Sequence, residues 1–365
     1  MKKIACILLF CITVTLASCG RGAVNIAVYD KPGRIPTHMI SLHPEVPSST
    51  EVAVLLRRYD ESSSAVAVSD RPGGELTTVY TLPEGTVTYE VVAEGGIIAF
   101  YEISAYSDGS VSYALRAVDT ANGGKVHSPY KKTVSEDGEI QTRFIVVYDR
   151  CVYYLTKADL LGRSRVMKYS LDSGVTEEFL GFPFTENEMT SGSSCTFISG
   201  KSGYLSCGVV SGNRTVIKTY ELGKGELVRE KQLPYGAALV YMADHDYATG
   251  MYAMYYLSAQ NDERVAVFSY SDETLTDILE LDGDTYVSRE EVLLYGDSVY
   301  FQTQDTNSED PYSQFRGYSV KVADGDTKEY AGCMDMFING GEAYALTFDK
   351  RSGYGKVDLS RADAE

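Results

Sequence analysis

An acid-rich segment near the C-terminus carries the densest set of side chains that could bind a ligand. Residues 303–315 read TQDTNSEDPYSQF, and an arginine follows. A loop of about 13 residues is uncommon unless it is functional or disordered. Carboxylates, a phenol and a guanidinium can together bind a cationic, sugar or peptide group. The predicted ligand-binding residues are Asp305, Glu309, Asp310, Tyr312 and Arg316. The alternative interpretation is a flexible acidic flap.

No catalytic or metal-binding pattern accompanies this segment. The four histidines, at positions 38, 43, 127 and 245, lack the spacing of a zinc site, and no G-x-S-x-G turn occurs. Residues 200–202 end like a phosphate-binding loop, but Cys195 stands where its first glycine belongs. We interpret residues 244–246, the sequence DHD, as a solvated turn. We therefore expect no catalytic residue, no metal and no cofactor.

The N-terminus has the pattern of a leader. Lys2 and Lys3 precede an apolar stretch at residues 4–16. This stretch is shorter than the roughly 20 residues that a stable membrane-spanning helix needs. The sequence LASC at residues 16–19 resembles the lipobox of bacterial lipoproteins. The resemblance implies that residues 1–18 are a signal peptide and that Cys19 becomes the first residue of the mature chain.

The same resemblance implies a lipid anchor. Cys19 would carry a diacylglyceryl group and an N-linked acyl chain such as palmitate, and residues 19–22 would form a tether. Two or three acyl chains are enough for stable anchoring. Gly20 follows the cysteine, which implies the outer membrane if the cell has two membranes and the cell surface otherwise. An ordinary secretory signal with a chance cysteine is the alternative.

Two cysteines of the exported chain could form a disulfide. Cys195 and Cys207 lie symmetrically about Lys201, so antiparallel pairing would place them opposite each other. An exported location permits a bridge, which would contribute about 3 kcal/mol by closing the loop. Because only one of the two alternating pair types suits a bridge, two free thiols remain the alternative.

The charge balance argues against nucleic acid as a partner. The chain has 33 basic and 51 acidic residues, a net charge of −18. Removing the two leader lysines makes the net charge −20. Such a field repels phosphate backbones and favours neutral or cationic partners.

A run of aromatic and aliphatic residues recurs along the chain every 44 to 54 residues. Its seven copies centre on Ala53, Ala99, Tyr153, Tyr204, Tyr252, Tyr300 and Tyr344. This period, without helical periodicity between copies, is typical of four-stranded β-propeller blades. We predict an all-β fold in which residues 23–365 form one seven-bladed propeller of four-stranded antiparallel blades. Six or eight blades are the alternatives.

Strand composition and ring closure follow from this architecture. Second strands such as MYAMYYL are nearly all apolar, because neighbouring blades cover both faces, and fourth strands such as LVREKQL are polar because they lie at the outer edge. The seventh copy ends without a fourth strand, whereas residues 23–30, AVNIAVYD, alternate like a strand. We predict that this N-terminal strand completes the last blade and closes the ring.

The repeat, continued by strands such as RVMKYSLDSG at residues 165–174, resembles the TolB-like and YVTN-type propellers of exported bacterial lipoproteins. WD-repeat, quinoprotein and sialidase propellers carry signature tryptophans, and this chain has none. The resemblance implies an extracytoplasmic, lipid-anchored binding or scaffolding module of the cell envelope. Its expected partners are the membrane, through Cys19, and an envelope protein or glycan, but no nucleic acid.

An enzyme is the alternative function. A propeller glycosidase or lyase would need two carboxylates roughly 5 to 10 Å apart. A buried carboxyl pair with a raised pKa beside the channel mouth would indicate this enzyme, whereas solvated or scattered acids would indicate binding.

Overall fold

The computed structural model describes most of the chain after residue 33. The described residues are 34–43, 51–58, 64–71, 74–88, 90–107, 109–134, 142–157, 164–182, 194–211, 214–234, 237–258, 260, 262–281, 284–305, 307–308, 314–339, 342–349 and 353–358. No helix in these ranges is long and apolar enough to cross a membrane. The described elements are β-strands, apart from a 3-10 turn at Thr120–Asn122.

The first two sheets follow each other along the chain. The first sheet contains β1 (Arg34–Ser41), β2 (Val52–Arg58), β3 (Ser64–Ser69) and β4 (Thr77–Thr81). The second sheet contains β5 (Thr86–Val87), β6 (Val91–Glu94), β7 (Ile97–Ala105), β8 (Val111–Asp119) and β9 (Lys125–Val134). Because β5 and β6 both pair with β7, they share the place of one innermost strand.

The next four sheets each have four antiparallel strands in chain order. The third contains β10 (Thr142–Tyr148), β11 (Cys151–Lys157), β12 (Ser164–Ser170) and β13 (Thr176–Gly181), and the fourth contains β14 (Ser194–Lys201), β15 (Tyr204–Ser211), β16 (Arg214–Glu221) and β17 (Glu226–Gln232). The fifth contains β18 (Ala237–Asp246), β19 (Met251–Ser258), β20 (Glu263–Ser269) and β21 (Thr274–Glu280). The sixth contains β22 (Thr285–Tyr295), β23 (Ser298–Asp305), β24 (Phe315–Lys321) and β25 (Thr327–Ala331).

The seventh sheet corrects the predicted blade count. It contains β26 (Cys333–Asn339), β27 (Glu342–Asp349) and β28 (Gly353–Asp358), and no fourth strand among the described residues. The structure therefore has six complete blades rather than the predicted seven. Residues 23–30, the predicted closing strand, lie outside the described residues. The coarser prediction, an all-β propeller of four-stranded antiparallel blades, is confirmed.

Hydrophobic clusters fill the seams between successive sheets. One cluster joins Ile97 and Leu115 of the second sheet to Val152 of the third. Another joins Met39 of the first sheet to Phe337 of the seventh, so the two ends of the array pack on each other. Each buried aliphatic or aromatic side chain contributes about 1.5–3 kcal/mol, so the seams hold the sheets in a ring.

Burial follows strand position as the sequence predicts. The second strand β19 is buried along most of its length, whereas the outermost strands β17, β21 and β25 alternate between exposed and half-buried residues. Innermost strands, in contrast, pair irregularly with their neighbours. Register shifts occur between β10 and β11, β14 and β15, and β26 and β27, whereas second and third strands pair without shifts. Bulges of this kind re-aim side chains near functional sites.

Candidate functional site

The seam between the first two sheets contains a groove, which we call the seam groove. It encloses about 810 Å³ and lies where turns of both sheets meet. Its polar lining includes His43, Glu51, Asp70, Arg71, Glu75 and Thr120. We call this side of the ring the turn face, because it carries the turns between first and second strands and between third and fourth strands.

Local turn chemistry shapes one wall of the seam groove. The backbone of Gly95 and Gly96 is left-handed, with φ of 57° and 77°. Such φ values favour glycine, which has no Cβ. The Thr120 hydroxyl donates a hydrogen bond to the Gly96 carbonyl at 2.6 Å, and the Gly96 N–H points at the Leu42 carbonyl at 3.5 Å. The turns of the two sheets are thereby tied together at the base of the groove.

Charged groups of both signs line the opening. His43 Nε2 and Glu51 Oε2 lie 3.0 Å apart, and their side chains are 31% and 53% exposed. The Ser69 hydroxyl donates to the Arg71 carbonyl at 2.7 Å and sets the turn that carries Arg71. The Arg71 side chain forms no ion pair within the described part of the chain. A ligand would therefore meet a free guanidinium beside several carboxylates.

The buried carboxyl groups are bound to arginines or to backbone. Arg116 holds Glu102 through two contacts of 3.0 Å, and the Tyr80 hydroxyl donates to the same carboxylate at 2.6 Å. Burial alone would raise the pKa of Glu102, but these hydrogen bonds outweigh it and hold the pKa below its usual range. Burial likewise would raise the pKa of Asp119, and hydrogen bonds from Arg150 and Asn122 lower it overall.

Carboxylates of one sheet also accept backbone hydrogen bonds from the innermost strand of the next sheet. Glu90 accepts from the N–H groups of Phe144 and Ile145 at 3.1 and 2.7 Å. Phe144, at the bulge in β10, has a φ of 57°, a strained value for a residue with a side chain. Asp335, which is 2% exposed, accepts from the N–H of Met39 at 2.7 Å. The last sheet is thereby bonded to the first.

A similar contact links the fourth, fifth and sixth sheets. Asp244 Oδ2 accepts from the Leu294 N–H at 2.8 Å and from the Lys201 ammonium at 3.0 Å. The same ammonium donates to the Leu294 carbonyl at 2.5 Å. Lys201 and Asp244 therefore hold three successive sheets together. Within the described ranges, no group of three His, Cys, Asp or Glu side chains could hold a metal ion.

The turn predicted around residues 244–246 is corrected by the structure. The strand β18 continues to Asp246 and so includes His245, which is 1% exposed. The His245 ring lies against the Tyr252 ring, with centroids 5.9 Å apart. Neither ring nitrogen of His245 has a hydrogen-bond partner. Burial lowers the pKa of His245 to about 4. The solvated turn begins only after Asp246, whose Oδ1 accepts from the Ala248 N–H at 2.9 Å.

The loop predicted to bind a ligand is described only at its ends. Asp305 Oδ1 accepts a hydrogen bond from the Asn307 N–H at 2.8 Å and so shapes the loop itself. Arg316 Nη1 lies 2.9 Å from Glu329 Oε1, on the outermost strand of the same sheet. The other predicted residues, Glu309, Asp310 and Tyr312, lie outside the described residues. Both described members therefore have a partner within the protein, Asp305 within the loop and Arg316 within the sheet.

The register predicted for the two cysteines is wrong. Cys195 pairs with Val209 and Cys207 pairs with Ile198, because the turn contains two residues and a bulge shifts the ladder between Cys195 and Phe197. Both thiols are free and buried. Burial, followed by a hydrogen bond with Cys207, raises the pKa of Cys195. Cys195 and Cys207 both pack in the seam between the third and fourth sheets.

Sequence reasoning missed the seam groove. Its lining comes from turns that lie as far apart as residues 42 and 121, and each turn alone resembles any other polar turn. The glycine pair at residues 95 and 96 is the one local signal, and it predicts a turn rather than a groove.

Comparison with known proteins supports the fold. No family model matches the chain, and a search of curated proteins finds no match. A chain in the crystal structure of the mitotic checkpoint complex has a TM-score of 0.53 at 10% identity, covering 98% of this chain and 99% of that one. The β-propeller domain of the Trilobed protease from Pyrococcus furiosus, which has an open velcro topology, has a TM-score of 0.54 at 13% identity, with coverages of 91% and 96%.

TolB from Acinetobacter baumannii is also among the neighbours. Its TM-score is 0.43 at 13% identity, covering 77% of this chain and 66% of that chain, so it carries no argument about family. Likenesses at these identities show the fold alone. Together with the sheets described above, they identify the chain as a β-propeller.

Proposed function

We propose that the chain is a binding or scaffolding module rather than an enzyme. The observation that carries this proposal is the seam groove, which is large enough for a side chain or short segment of a partner. Arg71 provides a free donor there, and Glu51, Asp70 and Glu75 provide acceptors. Polar groups that converge in a cleft are typical of binding sites.

The buried carboxyl groups support binding over catalysis. A glycosidase needs a general acid whose pKa is raised. Glu102 and Asp119, two buried carboxyl groups of the described chain, have lowered pKa values because arginines hold them. Hydrolysis or cleavage of an envelope glycan by the purified protein would instead support the glycosidase or lyase alternative.

A photocrosslinking experiment tests the binding function. A photoreactive residue in place of Glu75 stands at the seam groove, and one in place of Val175 stands in the corresponding turn of the third sheet as a control. We expect a crosslinked product from position 75. Excess unmodified full-length protein should suppress this product, and Arg71→Glu should abolish it. Products of equal yield at both positions, or products insensitive to Arg71→Glu, would exclude the groove as the site.

We further propose that the module works outside the cytoplasm, anchored through lipidated Cys19, with an envelope protein or glycan as partner. The lipobox resemblance and the acidic charge support this location. Replacing Cys19 with alanine should move the protein from the detergent phase to the aqueous phase without changing its melting temperature. A variant that still partitions with detergent would contradict the anchor.

We also propose that residues 23–30 supply a fourth strand to the seventh sheet and so close the ring, with residues 23–365 as one domain. The link from this strand to β1 would be residues 31–33, and the outermost strands of the fourth and fifth sheets are linked to the next sheet by four residues each. Deleting residues 23–30 should lower the free energy of unfolding by several kcal/mol, through lost apolar burial and hydrogen bonds. An unchanged melting temperature would contradict this closure.

A further inference from the structure

Two arginines differ from the other arginines whose side chains are described. Five described arginines form ion pairs with carboxylates: Arg116, Arg150, Arg165, Arg264 and Arg316. Within the same described part of the chain, Arg71 and Arg229 form none. Arg71 belongs to the seam groove. Arg229 lies elsewhere, at the seam between the fourth and fifth sheets.

Arg229 lies among three tyrosine rings. We call this group of four residues the arginine clamp: Tyr204, Tyr247, Arg229 and Tyr270. The Arg229 guanidinium carbon lies 4.0 Å from the ring centroid of Tyr247 and 5.1 Å from that of Tyr270. Tyr247 in turn stacks on Tyr204, with centroids 3.7 Å apart and an interplanar angle of 10°. Tyr204 and Arg229 belong to the fourth sheet, and Tyr247 and Tyr270 extend from turns of the fifth.

The clamp fixes the guanidinium and leaves part of its donor edge unused. Arg229 Nη1 is buried without a hydrogen-bond partner. Arg229 as a whole is half-buried, and no hydrogen bond joins its other two guanidinium nitrogens to the described residues. Two tyrosine rings contact the guanidinium and restrict its movement, so a ligand that bonds its edge loses little side-chain freedom. An unpaired buried N–H is unfavourable, and a bound acceptor nearby would strengthen the site.

The fourth sheet, which supplies Arg229 to the clamp, has a charge opposite to that of the chain. Residues 194–232, which span the fourth sheet, contain six basic and three acidic residues, although the whole chain has 33 basic and 51 acidic residues. Lys231, two positions beyond Arg229, lies with its ammonium 5.8 Å from the Tyr270 ring and pairs with Glu273 of the fifth sheet, which leaves Arg229 as the unpaired described cation of the clamp. A positive surface in an acidic protein attracts anionic groups selectively.

We propose that the arginine clamp binds a carboxylate from an acidic segment of a partner protein. A planar guanidinium with a free edge matches a carboxylate through two parallel hydrogen bonds. A glycan is the less favourable ligand, because Tyr247 has one face against Tyr204 and the other against Arg229, and therefore offers no open ring face to a sugar. Arginine and tyrosine are also the residues that most often dominate protein–protein binding. This inference goes beyond the proposed function, because the clamp is separate from the seam groove.

Fluorescence anisotropy with a labelled hexaglutamate peptide tests the clamp on the full-length protein in detergent. We expect Arg229→Gln to weaken peptide binding at least tenfold. The matched control is Lys224→Gln, which removes the same charge from an exposed side chain of the fourth sheet and should change binding less than twofold. Arg229→Lys keeps the charge but loses the planar fork, and it should resemble Arg229→Gln. Unchanged near-ultraviolet circular dichroism would show that each variant is folded.

Chemical modification gives an independent result if a variant fails to fold. Phenylglyoxal should label Arg229 in the parent protein, and the peptide should protect Arg229 while leaving Arg71 reactive. The proposal fails if Arg229 and Lys224 variants lose binding equally, if the parent shows no binding at millimolar peptide, or if protection is absent. Preferential protection by polygalacturonate over the peptide would assign the site to an anionic glycan and overturn the peptide ligand.

Discussion

The fourth and fifth sheets are neighbours in the ring but carry opposite charges. Residues 194–232 hold six basic and three acidic residues, whereas residues 237–280 hold one basic and eight acidic residues. The acids of the fifth sheet largely have partners within it. Tyr255 donates to Glu263, and Arg264 pairs with Asp262 and Asp277. Net charge alone is therefore a poor guide to a binding site; Arg229, which has no carboxylate partner among the described residues, is the better one.

The two sheets are nevertheless joined by buried polar contacts. Lys201 of the fourth sheet pairs with Asp244 of the fifth. Hydroxyl groups of Ser206, Thr219 and Tyr252 form a chain across the same seam, with separations of 2.8 and 2.9 Å. If the charge contrast itself held the sheets together, removing any acidic residue of the fifth sheet would weaken the seam. If buried contacts hold the seam, the loss of stability depends on which acidic residue is removed.

Asp244→Ala separates these two explanations with the largest expected effect. The change leaves the Lys201 ammonium and the Leu294 N–H without their acceptor, and should lower the free energy of unfolding by about 3 kcal/mol. Asp272→Ala is the control, because it removes an equal charge from an exposed turn of the same sheet, where Asp272 accepts from the Ser269 and Ser271 hydroxyls, and should cost less than about 1 kcal/mol. Urea unfolding measures both, and equal losses would favour the charge contrast.

The next effect concerns His245 of the fifth sheet. Its folded pKa of about 4 lies below the ordinary 6.5, so the unfolded chain binds the proton first as pH falls. The stability that His245 contributes is fully present above pH 6.5 and is lost as the pH falls from 6.5 to 4. At pH 4.5 the loss amounts to about 2.5 kcal/mol.

His245→Leu should remove this part of the pH dependence. Urea unfolding at pH 7.5 and 4.5 gives the change in unfolding free energy for the parent and for the variant. Comparing the two changes removes the effect of the carboxyl groups that both proteins share. Asp244 and Asp246 oppose the lowering of the His245 pKa, and Lys201 and Arg229 reinforce it, after burial as the main cause. Identical pH dependence in the two proteins would mean that His245 is not buried at this seam.

Arg264→Gln should have a smaller effect, and one that depends on salt. Arg264 lies among Asp262, Asp277 and Glu280, so its loss leaves like charges close together on the fifth sheet. We expect a lower melting temperature at low ionic strength that largely recovers in 1 M salt, where the Debye length is about 3 Å. Arg229→Gln should show no such recovery. A salt-independent Arg264 variant would indicate that packing of the side chain matters more than its charge.

The smallest expected effect concerns the thiols of the fourth sheet. In the folded protein, iodoacetamide should label Cys151 faster than Cys195 and Cys207, because the latter are buried. After denaturation without a reductant, all of these thiols should be labelled. If Cys195 and Cys207 are labelled only after reduction, the protein contains the bridge that the sequence suggests. Peptide mass mapping distinguishes the two results.

The sequence predicted the repeating architecture because a buried second strand leaves a direct signal. Runs such as MYAMYYL must be apolar on both faces, and β19 is buried accordingly. Positions at innermost strands were predicted less well. Cys195 and His245 both lie on such strands, where a bulge or two extra paired residues change which side chain is buried. Neither feature leaves a compositional mark, because the same residues would suit the alternative register.

The candidate sites depended on packing between sheets, which local sequence does not encode. The seam groove and the arginine clamp each combine turns or strands from two sheets. Arg229 lies in ELVREKQ, which reads as an ordinary polar outer strand. Its lack of a carboxylate partner becomes visible only when Tyr247 and Tyr270 of the next sheet are placed around it.

The bond between Asp335 and Met39 joins residues 296 positions apart in the chain. In an open array of repeats, the terminal units lack one neighbour and fray first, so unfolding starts at the ends. A circular array has no terminal unit. Local opening must then begin by separating two sheets that are each packed on both sides, which slows the first step. The Asp335 carboxylate therefore bonds β1 only late in folding during synthesis: the first sheet gains its second neighbour only after nearly the whole chain has been made.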